Sequence, residues 1–245
     1  MSEEMARQWS ADLASLPPAE ILRWCAASFE PGSCAFATSF GTEDQIITDI
    51  MVAEKLSFPL FTIDTGRLPQ ETHDVHQATR ERYGLKIDVL FPDAAAITDM
   101  VSYYGPNLFY EHVELRKLCC QQRKVEPLKR KLATLKGWIC GLRRAQSVTR
   151  REVDPVEWDA SFGLFKINPL AAVSDCWLNG YITEHDIPLN ALHAQGYPSI
   201  GCAPCTRAIK PGEDIRAGRW WWELPEKREC GLHLHQQETG KQGNN

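Results

Sequence analysis

Four short apolar runs, each bounded by Gly, Pro or Asp, constrain this chain more than any other feature: "SCAFATSF" at 33–40, "FPLFTID" at 58–64, "LKIDVLF" at 85–91 and "GWICGLR" at 137–143. Each reads as a short buried strand. Between the first two, residues 43–55 place Ile46, Ile47, Ile50 and Met51 on one helical face; between the second and third, residues 69–82 open on Pro69 and stop at Gly84. Strand and helix alternating in this way predict an α/β fold, a mostly parallel Rossmann-like sheet with helices on both faces. Such sheets bind ligands at the carboxyl ends of their strands. The loops after Phe40, Asp64 and Leu142 are therefore where chemistry is expected.

The first of those loops, "TSFGTEDQ" at 38–45, has Ser39 beside Gly41, which lets the backbone turn close to a ligand. Thr42 and Gln45 form the pattern of a capping box, and exposed amides at such a helix head hold anions. The second loop, "IDTGR", ends its strand with Asp64 and Thr65; the third, "GLRRAQS", puts Arg143 directly after a strand. Hydroxyls, glycines and arginines meeting at one edge predict a site for an anionic nucleotide. The net charge of −5 argues against wholesale nucleic-acid binding, yet residues 116–151 hold twelve of the 27 Lys and Arg, opposed only by Glu126.

A chain of 245 residues suffices for one sizeable domain with a real core. Its acidic, amphipathic start lacks the pattern of a secretory signal, and no segment approaches the eighteen apolar residues of a membrane span, so a cytoplasmic protein is expected. Nine cysteines in a reducing compartment are then core filler, ligands or catalysts rather than disulfides. "KLCCQQRKVEPL" supplies Cys119 and Cys120, and "GCAPCTR" supplies Cys202 and Cys205. Four thiolates bind zinc or an iron-sulfur cluster. Neighbouring side chains on a helix diverge by about 100°, which suits a bulky cluster better than one small ion. A buried cysteine pair beside an unrelated turn is the remaining reading. Cys25, Cys34, Cys140 and Cys176 read as small core residues, and His73 and His76 as a solvated helix face.

The motifs "SFGTEDQ", "IDTGR", "CCQQRKVEPL", "GLRRAQS", "GCAPCT", "GRWWWE" and "KRECGLH" occur in an order that resembles the assimilatory adenylyl-sulfate (APS) and 3′-phosphoadenylyl-sulfate (PAPS) reductases, over residues 30 to 235 or so. The paired CC and CxxC are similar to those of the cluster-containing branch, which mostly reduces APS. The resemblance implies an adenine-nucleotide α-hydrolase-like sheet over residues 1–222, one [4Fe-4S] cluster per chain on Cys119, Cys120, Cys202 and Cys205, and a flexible tail over 223–245. In that tail Cys230 would be the nucleophile, with thioredoxin or glutaredoxin delivering the electrons and the protein a homo-oligomer.

The resemblance accounts for a lone thiol at Cys230. A thiolate attacking the sulfate sulfur of APS displaces AMP and leaves an S-sulfocysteine, and with no resolving cysteine beside it the second thiol must come from an outside dithiol. Lys227 and Arg228 favour the thiolate, and His233 positions or activates it. Lys124, four residues after Cys120, would set its ammonium between cluster and sulfate. Arg216 and Arg219 resemble the family's sulfate and phosphate contacts, and Arg143 is a further phosphate candidate. ATP pyrophosphatases share such a sheet but carry a serine-glycine-glycine loop; Phe40 in place of one glycine favours a shorter adenylate such as APS. The alternatives are a PAPS reductase of the same mechanism and an iron-sulfur redox sensor that binds nucleic acid, the latter with no need for Cys230.

Overall fold

The computed structural model describes residues 2–146 and 152–223. A six-stranded sheet in the order β3-β2-β1-β4-β6-β5 forms its centre. The four expected strands are present in shortened form as β1 (Cys34–Ala37), β2 (Leu60–Ile63), β3 (Ile87–Leu90) and β4 (Gly137–Ile139). Their mutual pairings β1–β2, β2–β3 and β1–β4 are parallel. The apolar residues beyond each strand belong to the turns that follow, so the runs overstate strand length.

Two strands escaped the sequence reading. Residues 156–167 form a hairpin of β5 (Val156–Asp159) and β6 (Leu164–Ile167), with β6 parallel to β4 and β5 antiparallel at the edge. Its turn is closed by Asp159, whose carboxylate accepts from the amides of Ser161 and Phe162 at 3.1 and 3.3 Å. Lys166 and Glu157 interrupt the apolar pattern here; they pair at 3.7 Å, with both side chains largely buried.

Helices α1 (Ser2–Leu13), α2 (Pro18–Ser28), α3 (Thr42–Ala53) and α8 (Asp175–His185) contribute to the core on one sheet face, where Leu22, Cys25, Phe36, Ile46, Ile47 and Ile139 are fully enclosed. Each such Ile or Leu stabilises the fold by about 1.5–3 kcal/mol through lost water contact. Leu128 and Leu132 of α7 (Glu126–Leu132) cover the opposite face with Phe61, Trp138 and Cys140. Helix α4 (Gln70–Tyr83) ends at Gly84 as its sequence predicts, and α5 (Ala94–Tyr104) starts on Asp93, which accepts from the Ala96 amide at 2.9 Å. Among the described residues no helix is long and apolar enough to cross a membrane.

The chain runs from β1 outward to β2 and β3, then returns to place β4 on the other side of β1. The carboxyl ends of β1 and β4 therefore flank a topological switch point, where diverging loops leave a crevice. A smaller apolar cluster lies apart from the two main ones and contains Met100, Leu108, Phe109 and Trp220 with Cys119, Cys120, Cys202 and Cys205.

Candidate active site

The crevice is a cleft of about 330 Å³. Six of the predicted site residues line it: Ser39, Gly41, Thr65, Lys124, Arg216 and Arg219. At its floor the turn from β1 into α3 is made by Phe40 and not, as expected, by Gly41. Phe40 adopts a left-handed φ of +59°, whereas Gly41 has an ordinary φ of −69°. The strained backbone is held because the Phe40 ring is buried and stacks on His76, centroids 4.7 Å apart. His76 is therefore half-buried packing, and burial lowers its pKa, a correction to the solvated face expected for it.

The expected capping box is likewise not formed. No side chain caps α3: Thr42 Oγ1 meets His193 Nε2 at 3.3 Å, and Gln45 turns inward to Thr79 Oγ1 and the Pro188 carbonyl. The helix head is left facing the cleft, a favourable place for negative charge. Against it stands Asp44, which the sequence reading missed although an acid in a first helical turn is a visible signal. Its Oδ2 accepts from both the amide and the hydroxyl of Ser39, each at 2.7 Å. Burial nevertheless pushes this carboxyl up to about 6. Gly141, after β4, passes so close that a Cβ there would lie 2.3 Å from Asp44 Oδ1.

Two predicted contacts point elsewhere. Asp64 is not in the cleft wall; its carboxylate accepts from the Gly66 amide at 2.8 Å and shapes its own turn. Arg143 is buried and pairs with Glu43 at 3.1 Å and Asp175 at 2.6 Å, tying the loop after β4 to α3 and α8. Both of its carboxylate partners lie far away in sequence, so the loop position alone suggested a ligand. Gly141, Leu142 and Gln146 of the same loop do reach the cleft.

Thr65 joins the cleft to the cysteines. Its hydroxyl lies 3.3 Å from Cys202 Sγ, and its carbonyl accepts from Arg123 at 2.7 Å. Cys119 and Cys120 end helix α6 (Val113–Cys120), which runs into a π-helical turn (Gln121–Val125) and then α7. Cys202 and Cys205 flank a tight turn in which the Cys205 amide donates to the Cys202 carbonyl at 2.9 Å. All four thiols are buried and line one small cavity with Arg67, Arg116, Arg123 and Lys124.

The cavity shifts its thiols in opposite directions: burial raises the Cys119 pKa against the nearby Arg123. Burial works to raise the Cys202 pKa, but Lys124, the Thr65 hydroxyl, Arg219 and Arg123 outweigh it and the net shift is downward. Cys205 is pushed up to about 12, first by burial and then by the neighbouring Cys202. The buried Nε atoms of Arg123 and Arg219 have no hydrogen-bond partner among the described residues. Among those residues no group of three or more His, Cys, Asp or Glu side chains is arranged to hold a metal ion. Four thiols lining one cavity with basic side chains are nevertheless a donor set of the kind that ligates an anionic metal–sulfur group.

Lys124 and Trp220 line both the cleft and the cysteine cavity, so the two share a wall. Arg219 lies across Gly201, where a Cβ would fall 2.3 Å from its guanidinium, and donates to the Ile200 carbonyl at 3.2 Å. Of the remaining cysteines Cys25, Cys34 and Cys140 are buried as expected, whereas Cys176 is exposed because it lies on the outer side of α8. Cys230 and His233 lie outside the described residues.

A mostly parallel sheet with an anion-receptive cleft at its switch point, walled off from a four-thiol pocket by one lysine and one tryptophan, defines a nucleotide-binding α/β protein with a sulfur-rich centre. Residues 33–208 match the phosphoadenosine phosphosulfate reductase domain, and the chain belongs to that family. It is 54% identical over 204 residues to the adenosine 5′-phosphosulfate reductase of Allochromatium vinosum, covering 83% of this chain and 80% of that one. The enzyme of the same name from Burkholderia cepacia is 49% identical over 199 residues, 81% of this chain and 80% of its own. A crystal structure of phosphoadenylyl-sulfate reductase from Candida auris, in complex with phosphate, superposes with a TM-score of 0.73 at 25% identity, covering 85% of this chain and 98% of that one. The adenine-nucleotide α-hydrolase-like fold implied by the sequence motifs is the fold of this chain.

Proposed function

We propose that this protein is a thioredoxin-dependent reductase of adenylyl sulfate, acting in cytoplasmic sulfate assimilation on the way to cysteine. The observation that carries this reading is the wall shared by cleft and cysteine cavity: Lys124 and Trp220 reach both. The names borne by relatives at about half identity support APS over PAPS as substrate.

In this reading the adenylate occupies the cleft, its phosphate near the head of α3 and its sulfate toward Arg216, Arg219 and Lys124. Cys119, Cys120, Cys202 and Cys205 would hold a [4Fe-4S] cluster, which when bound supplies fixed charge beside the sulfate and no electron relay. The Cys230 thiolate attacks the sulfate sulfur; a new S–S bond forms, the S–O bond to the phosphate breaks, and AMP leaves with that electron pair. A thiolate of the dithiol partner then attacks Cys230 Sγ, and sulfite departs with the electrons of the broken S–S bond. The partner's second thiol closes its own disulfide and frees Cys230.

The test is a single turnover by anaerobically purified protein mixed with APS, or separately with PAPS, and no reductant. With APS, AMP is released without sulfite, and one peptide, containing Cys230, gains about 80 Da as a sulfonate. Thioredoxin added afterwards releases sulfite. Cys230→Ser binds APS but forms no adduct, because a hydroxyl stays protonated near neutral pH. An adduct on another cysteine, or full turnover by Cys230→Ser, removes this mechanism, and a preference for PAPS reassigns the substrate.

A further inference from the structure

We propose that His193 is a positioning residue that acts through Thr42 as a proton relay: it gains a proton as the nucleotide phosphate settles at the head of α3, and so turns the Thr42 hydroxyl toward that phosphate. The hydrogen bonds stand on described geometry; the ligand rests on the reductase reading above.

His193 lies on a short turn of helix (Ala191–Gln195) and lines the cleft, as does Thr42. Its Nδ1 is 2.9 Å from the Tyr197 carbonyl, and because a carbonyl oxygen only accepts, Nδ1 carries the proton. In the neutral ring Nε2 is then an acceptor, and the Thr42 hydroxyl 3.3 Å away donates to it. The pair therefore has two states. With Nε2 bare, the one hydroxyl proton of Thr42 is committed to His193 and only lone pairs are left for the cleft. With Nε2 protonated, Nε2 donates to Thr42 Oγ1 and the hydroxyl proton is released to a ligand oxygen.

This choice falls where an anion is expected. Thr42 is the first residue of α3, and Arg219, also on the cleft wall, holds a buried Nε with no partner among the described residues. An ionised phosphate oxygen accepts hydrogen bonds and donates none, so a hydroxyl committed to His193 opposes it and a released one binds it. As the S–O bond of APS breaks, the phosphate gains a second negative charge. The protonated relay then holds AMP more strongly than APS and favours its departure.

Other charged groups surround the pair. Helix α3 presents Glu43 and Asp44 to the cleft, the π-helical turn presents Lys124, and the segment before Trp220 presents Arg216 and Arg219. Helix α4 packs on the His193 turn through Thr72, which accepts from Asn190 at 3.1 Å, and carries Glu71, His73 and His76. Asp44, which burial raises to about 6, is the competing proton acceptor.

The test is calorimetric titration of AMP into the protein at pH 7.5, in two buffers of different ionisation enthalpy, with adenosine as the ligand that lacks phosphate. That pH lies above the second ionisation of a phosphate monoester, about 6, so protons taken up go to the protein. Wild-type protein should take up about half a proton or more with AMP and none with adenosine. His193→Gln keeps a donor but cannot titrate, and Thr42→Val keeps the shape but loses the hydroxyl. Both should abolish the uptake and weaken AMP about tenfold, while adenosine affinity moves by less than about threefold. No uptake by wild-type protein, or uptake that persists in His193→Gln, overturns the proposal; its loss in Asp44→Asn would then assign the proton to Asp44. Loss of adenosine affinity in both variants marks a structural pair and overturns it too. Should AMP not bind wild-type protein, the reductase reading fails instead, and inorganic phosphate becomes the probe: uptake greater in wild type than in His193→Gln supports the relay, and equal uptake or no binding overturns it.

Discussion

At the scale of single residues, burial decides what side chains at this site can do. Asp44 has an ordinary pKa of 3.8 that burial raises to about 6 in the fold. A carboxyl raised on folding contributes stability that is full below pH 3.8 and is lost as pH climbs through about 6. That difference corresponds to about 3 kcal/mol. Asp44→Asn should therefore flatten the dependence of the urea midpoint on pH between 4 and 6, and an unchanged slope would show that Asp44 does not take up the proton. Gly201 carries a different constraint. Because a Cβ there would meet only the guanidinium end of Arg219, Gly201→Ala should cost less than about 1 kcal/mol and shift that guanidinium. Thermal melts read the first effect and APS affinity the second; unchanged affinity would show that Arg219 does not touch the substrate.

Among elements, the junction of α6 and α7 and the loop after β4 matter most. The π-helical turn Gln121–Val125 adds an extra residue to the helical ladder directly after Cys120, and such turns re-aim the side chains that follow. Lys124 consequently lines both cavities. Lys124→Ala should slow formation of the S-sulfo adduct by about tenfold or more, the loss expected for one charge aimed at a transition state, while iron content stays unchanged. An equal rate in the variant would assign Lys124 to packing. The loop after β4 is held by Arg143 through Glu43 and Asp175. Arg143→Met should lower stability by about 2 kcal/mol, leaving Glu43 without its partner, and change APS affinity less than threefold. A large loss of affinity at unchanged stability would restore Arg143 as a phosphate contact.

At the scale of the molecule, an acidic protein concentrates its cations on one region. The four thiols come from two segments about eighty residues apart, yet share one cavity rimmed by Arg67, Arg116, Arg123 and Lys124. If that cavity holds a [4Fe-4S] cluster, iron and acid-labile sulfide should each approach four per chain in protein kept from oxygen. Stoichiometric zinc without sulfide would exclude it. Thiol burial also predicts slow modification: in the folded protein a bulky maleimide should label Cys176 well before Cys119, Cys120, Cys202 or Cys205.

The alternation of apolar runs and amphipathic stretches determined the sheet, its parallel core and the loops that carry the site, because side-chain periodicity is a local property that survives in one dimension. The adjacent cysteine pair and the CxxC announced a sulfur centre for the same reason. What a motif faces is not local. Phe40 rather than Gly41 takes the left-handed turn because His76, on α4, offers its ring a stacking partner. Arg143 turns from the cleft because Glu43 and Asp175 lie within reach, and Asp64 because the Gly66 amide does. The hairpin of β5 and β6 hid behind Lys166 and Glu157, a charged pair made tolerable in the interior by each other and by Asn168, whose amide donates to the Glu157 carboxylate at 2.9 Å. Partners brought together from distant segments set burial, and burial sets charge; those facts exist only once the chain has folded.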